Sequence, residues 1–518
     1  MRRFVRGRFR LVSSACALAL AGGMIAAAGA PATAADPVPT RSDLACSYYR
    51  STGTAIQAAP EPWRVTSSDV VTDAAGHQAR AWAGYATHQA IADHAGATYI
   101  GYFDANRVLT IAKRGANDTA WTVRSLGVTL QHDSHSSVTL AFDTNGNLHV
   151  VARIKYSDKL RYWVTTRPGD LSTLTAASMI PSWTENGTPF ENWVSYPELY
   201  TGVGGQLFFR YAHGQPGASY TIVYQFDAAK RVWQLSNPGT GYQGLAKVWA
   251  GWYTNPTWSV YPTVPQKGTD GRYHMIWTWR GDGSADSNSQ VGYAVSDDLH
   301  VWKNIKGEVI SNTSFTYTDL RPVVDNIPKG GGLLNDSGMA LGFDGSGRPV
   351  ISYFKYAGTG ADRTTQLFIA RPSGTNTGTG WTIQQVSAWT GKYDLANNVL
   401  DAGVLNANEG ARQVGANLVI PYLCQQKGHT LYLDASTGKR VADVPSTADT
   451  SLPAQVLSSA FAPGYFIWPQ TVTTEESTAS SARLLKWEAG PWVVDGDIVP
   501  QWSYPVGGSP LTVFTLAR

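Results

Sequence analysis

Short runs rich in β-branched and aromatic residues recur along the chain, each bounded by turns of Gly, Asp and Asn. The phrase is found at residues 97–103, 147–153, 206–211, 272–279, 348–354, 417–423 and 465–468. Turn pairs such as Ala95-Gly96, Asn145-Gly146, Gly204-Gly205, Asp270-Gly271 and Ser346-Gly347 precede most of them. These are strand and hairpin signals. A second strand follows at 108–113, 160–165, 220–226, 291–296, 366–371, 430–433 and 484–488. A third, often marked by Trp, closes the unit at 120–123, 231–235, 301–303 and 381–385. Periodicity of the helical kind is scarce, which excludes helical repeats.

Small antiparallel sheets repeating with turn punctuation predict an all-β fold, a β-propeller; the count of phrases favours seven blades, with six or eight left open. The phrase strands are expected to be the innermost ones. Residues 511–516 are expected to pair with the N-terminal region and so close the ring. Ser296-Asp297-Asp298-Leu299-His300-Val301-Trp302 resembles a degenerate Asp-box that lacks its glycine.

The first residues stand apart from this pattern. Arg2, Arg3, Arg6, Arg8 and Arg10 precede an apolar, Ala-rich run, and Ala32-Thr33-Ala34 offers a small-residue cleavage site. That is a secretory signal peptide, so the protein is expected to be secreted after cleavage near Ala34. The domain reading is therefore signal peptide 1–34, leader segment 35–75 and propeller 76–518. No later segment has the run of apolar residues that a membrane helix needs. Of 41 basic and 38 acidic residues, cleavage removes five arginines and no acids, leaving 36 against 38. A slightly acidic chain suits neither a nucleic-acid nor a membrane partner. Of three cysteines, Cys46 and Cys424 remain, and export permits either a disulfide or two thiols.

Candidate chemistry gathers just ahead of the phrase strands, where propeller loops line a central funnel. His132-Asp133-Ser134-His135 is the first such stretch. Imidazoles exchange protons near neutral pH, but a solvated turn capped by Asp133 would read the same way. Tyr196-Pro197 and Tyr261-Pro262 are the next, either as aimed tyrosines or as ordinary strand entrances. Trp277-Thr278-Trp279-Arg280 joins aromatic faces to a planar cation that suits a carboxylate, unless Arg280 pairs with Asp282 or Asp286. Asn335 and Asp336 suit hydroxyl binding or a plain turn.

In this order Asp133-x-His135, Tyr196-Pro197, Tyr261-Pro262, Trp277-x-Trp279-Arg280, Asn288 and Asn335-x-x-Gly338-Met339 resemble the BNR-type seven-bladed propeller lyases. These include the ulvan lyases and the rhamnosyl-glucuronate lyases, and the likeness spans residues 82–356. The resemblance implies β-elimination at a sugar bond 4-linked to a uronic acid. It implies His135 and Tyr196 as catalytic residues and Arg280 as the contact to the uronate. Asn288, Asn335, His132 and His213 join it as substrate-binding candidates. A second family histidine falls on Lys155 and a family arginine on Ala212, so Lys155 and Arg210 are expected to fill those roles. No cofactor is implied for catalysis, a structural metal is left open, and the partner is a polysaccharide or oligosaccharide met by a monomer. Two further functions stay open: a glycoside hydrolase using Asp133, Glu198 or Asp336, and a non-catalytic glycan-binding propeller.

Overall fold

The computed structural model describes residues 44–518 apart from 51–62, 154–159, 180–183, 186–187, 190–193, 216, 236–246, 250–257, 312–314, 335–337, 376, 396–404, 407–409, 426, 446–451, 475–476, 478–479 and 492–498. The expected signal peptide and the residues Lys155, Asn335 and Asp336 lie outside the described residues.

Turn chemistry sets the hairpins. Between strands Ser137–Phe142 and Leu148–Arg153, Asp143 Oδ1 accepts from the backbone N–H groups of Asn145 and Asn147, both at 2.9 Å. Gly146 completes the turn at φ 77°, a conformation open to glycine without steric penalty. Asp344 repeats the device toward Ser346 and Arg348, with Gly347 at φ 75°. In the Asp-box-like segment Asp298 caps His300 and Val301, and Leu299 takes the left-handed position (φ 67°) in place of a glycine.

Among the described residues, the antiparallel ladders of four or more strands, taken in chain order, form the repeat; two of them join through a parallel pair into one ten-stranded sheet, and two further sheets hold two strands each. In the first, Ala90–His94 pairs Ala97–Phe103, then come Val108–Arg114 and Thr122–Thr129. The third runs Val194–Thr201, Leu207–Gln215, Ala218–Asp227, Val232–Leu235. This corrects one expectation. In the first six ladders the repeated phrase is not the first strand, and another strand precedes it; in the last, 465–468 is only the approach to Trp468–Thr473. First strands such as Ala90–His94 and Ser259–Pro262 are short and carry small residues, so their pattern is weak. They meet their counterparts in the next ladder, as in the parallel pair Phe343–Arg412.

The core lies between consecutive sheets. Tyr99 and Phe103 of the first sheet pack on Leu140 and Val150 of the second. Val151 and Tyr162 then meet Phe209 and Tyr211 of the third, and Phe208 meets Met275 and Trp277 of the fourth. Strands inside such a stack lose both faces to neighbours: Ala97–Phe103 is buried at every position, whereas the outer Thr122–Thr129 is buried at none. Thr512–Ala517 pairs with Ser481–Ala489 on one side and Arg64–Val70 on the other. That last sheet packs Leu485 and Trp487 against Ile100 and Tyr102 of the first. Sheets stacked face to face, with last against first, make an all-β propeller. Cys46 and Cys424 form a disulfide, and Tyr49–Arg50 adds to the edge of the sixth ladder beside it.

Candidate active site

The site is built where the chain enters the first strands of the second and third sheets. Asp133 is fully buried, and its Oδ1 accepts from the backbone N–H of His135 at 2.7 Å and lies 2.8 Å from His135 Nδ1. The turn thus fixes the ring through Nδ1. Arg153 ties the turn to the next sheet, donating to the carbonyl of His135 at 2.8 Å and of Val194 at 2.6 Å.

Tyr196 faces it. Register in the third sheet slips between Ser195–Ala212 and Glu198–Arg210, so a bulge holds Tyr196 and Pro197. Tyr196 adopts φ 53°, an outlier for an aromatic side chain that costs about 1–2 kcal/mol. The bulge turns the phenol outward, 46% exposed in a fold that buries most of its tyrosines. Its ring centroid is 6.2 Å from that of His135 and 6.3 Å from that of Tyr261. Arg280 lies 4.7 Å over the Tyr261 ring, donates to its hydroxyl at 3.3 Å, and donates to Asn288 Oδ1 at 2.9 Å. Asn288 is anchored to the carbonyl of Leu333 at 2.9 Å. His135, Tyr196, Arg280 and Asn288 therefore form one row across three sheets, with Tyr261 as the link.

The other candidates sit elsewhere. Arg210 is buried and bound to Glu198 and to the carbonyl of Thr263, so it braces the bulge from beneath. His213 is buried opposite Val194. His132 turns toward the first sheet, with Nε2 2.7 Å from Arg107 and its ring 5.9 Å from that of Tyr85. Burial, then the Arg107 charge, lowers its pKa.

His88 was not singled out by the sequence, because the first strand it precedes carries no clear pattern. Its residue forms a parallel bridge with Ser137, and solvent reaches its side chain although Thr87 and Gln89 on either side are buried. Burial lowers its pKa, Glu198 opposes the shift and His135 adds to it.

A cavity of about 370 Å³ opens at the other end of these strands, lined by His94, Phe142, Asp143, Thr201 and Gly205. It is remote from this row, and the chemistry follows the row rather than the larger void. Among the described residues no three His, Cys, Asp or Glu are grouped to hold a metal ion, and no helix is long and apolar enough to cross a membrane.

An all-β propeller with a polar row at one mouth is the class that fold and site define. Residues 97–389 match the model of the BNR repeat-containing family, and the chain belongs to that family. Among solved structures it is similar to the polysaccharide lyase Uly1, at 13% identity and a TM-score of 0.53, over 88% of this chain and 99% of that one. A second similar structure is an ulvan lyase of family PL25 bound to -[GlcA(1-4)Rha3S]-, at 13% identity and a TM-score of 0.51, over 86% and 95%. No curated protein matches the chain by sequence.

Proposed function

We propose that this is an exported polysaccharide lyase that cleaves a uronate-containing glycan by β-elimination. The observation that carries the reading is the pairing of His135 with an exposed Tyr196 held in a strained bulge, 6.2 Å between ring centroids. At that spacing the two rings meet edge to face, so a sugar lying across them meets an imidazole and a phenol together. His135 Nε2 takes the C5 proton, the C–H electrons become the C4–C5 double bond, and the C4–O bond breaks. The departing oxygen takes its proton from the Tyr196 hydroxyl, which is suited to donate because an unperturbed phenol has a pKa near 10. Arg280 supplies fixed positive charge for the carboxylate, with Asn288 holding its fork and Lys155 as a further cation. The signal segment read at 1–34 puts the reaction outside the cell, and the single chain suffices for it.

A hydrolase needs two carboxyl groups facing the bond. Asp133 is buried beneath His135, and Glu198 is paired with Arg210, so neither serves that role readily. The test is the ultraviolet absorbance of a 4,5-unsaturated uronate, which elimination creates and hydrolysis does not. Reducing ends released without that absorbance would replace the lyase by a hydrolase. Binding without cleavage would leave a glycan-binding propeller.

A further inference from the structure

His88 stands beside the catalytic turn by construction. Its backbone N–H donates to the carbonyl of Ser136 at 3.4 Å, and its carbonyl accepts from Val138 at 3.1 Å. Those bonds straddle Ser137, two residues beyond His135, so the entry to the first sheet is strapped onto the turn of the second. Thr87 and Gln89 on either side are buried while the His88 side chain is exposed, so in extended chain it stands on the opposite face from theirs. The charges of both His135 and Glu198 reach it there.

We propose that His88 is a third substrate-contacting residue, whose ring N–H donates to the uronate carboxylate. This rests on the lyase reading and names the residue that tells an acidic sugar from its neutral counterpart. As the C5–H bond breaks, negative charge moves onto the carboxylate oxygens. A donor already aimed there binds the transition state more tightly than the ground state. His88 transfers no proton: the C5 proton goes to His135 and the leaving oxygen takes that of Tyr196. A neutral donor suits the place, because His135 becomes cationic in the same step and a second cation beside it would resist that. Burial disfavours a charge on His88, Glu198 favours it, and His135 disfavours it again, with the net shift downward.

The test titrates two probes into wild type, His88→Ala and His88→Gln, each in a Tyr196→Phe background that halts turnover. One probe is a GlcA(1-4)Rha3S oligosaccharide, and the other is the same oligosaccharide with its carboxyl reduced to an alcohol. His88→Ala is expected to weaken the acidic probe by about tenfold or more, as loss of a hydrogen bond to a charged group does. His88→Gln, which keeps an N–H donor, recovers most of that affinity, and the reduced probe binds all three alike. Thermal melting confirms that the variants are folded. Equal affinity of the Ala variant and its parent for the acidic probe overturns the assignment, as does equal affinity of the parent for both probes. Product absorbance is followed in parallel with Tyr196 intact. Elimination by wild type with no effect of His88→Ala refutes His88 and keeps the lyase. Acid recognition lost with His88→Ala, but no unsaturated product from wild type, keeps His88 and refutes the lyase.

Discussion

Asp133 with His135, and Asp143 with His149, place a carboxylate against an imidazole within one stretch of chain, at 2.8 Å and 3.3 Å. Their surroundings differ. The His149 side chain is fully buried, and its second nitrogen is 2.8 Å from the Tyr162 hydroxyl, so both nitrogens are occupied. His274 copies that arrangement two sheets on, with Asp270 at 3.1 Å and Tyr293 at 2.7 Å. These are repeat features that hold second strand, third strand and turn together. His135 keeps 24% of its side chain open, commits only Nδ1 to its aspartate, and faces an exposed tyrosine. An Asp–His contact is thus no signature of catalysis by itself. What distinguishes the mouth is that the ring reaches solvent and faces an exposed tyrosine.

The comparison breaks most visibly if each histidine is removed in turn. His135→Ala is expected to lower the elimination rate by about 10²–10⁴-fold, the usual worth of a positioned acid or base, while the melting temperature stays near that of wild type. His149→Ala is expected to do the reverse. It removes a shared partner of the buried Asp143 and Tyr162 and opens a void, costing about 3 kcal/mol in denaturant melts, yet the rate per folded molecule holds. Similar losses of stability in both variants would erase the distinction.

Removing the charge at Arg280 by Arg280→Ala should cost about a hundredfold in turnover, as loss of a preorganised stabiliser does. Arg280→Lys restores charge but not the fork that grips Asn288 and Tyr261, so partial recovery is expected in steady-state kinetics. Full activity in both would place the carboxylate elsewhere.

Acid sharpens the buried side. Burial lowers the pKa of His149 and of His274 below 6.5, with their aspartates opposing the shift. Each ring therefore holds its proton less tightly when folded than when unfolded, and the unfolded chain takes up the extra protons as pH falls through 6.5. Stability is full above that pH and falls on acidification, by up to about 1.4 kcal/mol per pH unit for each ring. Chemical denaturation between pH 7 and pH 5 checks the slope. The pair of changes His149→Phe and His274→Phe should flatten it, and His135→Ala should not. In stability the smallest effect is expected from Tyr196→Gly, which relieves the left-handed backbone and so offsets about 1 kcal/mol of the packing it removes, although turnover is lost with the phenol.

Turn signals made the propeller legible, since Asp and Gly at hairpin corners need no long-range information. First strands escaped because they crowd together, are short, and show no clean alternation. His135 and Tyr196 were legible as Asp-x-His and Tyr-Pro ahead of a strand. Their meeting was not, because it depends on the bulge at Ser195–Glu198 and on Arg210 reaching back to Glu198. His132 stood in sequence as a substrate-binding candidate beside the catalytic candidate His135, and Arg107 holds it toward the first sheet. His88 lay hidden for the same reason as the strand it introduces.

The most direct measurement is product absorbance from Tyr196→Phe beside wild type on a uronate glycan. That change removes one oxygen and almost no packing volume. The account predicts unsaturated product from wild type and essentially none from the variant, with fold and glycan binding retained. Undiminished unsaturated product from Tyr196→Phe would contradict it.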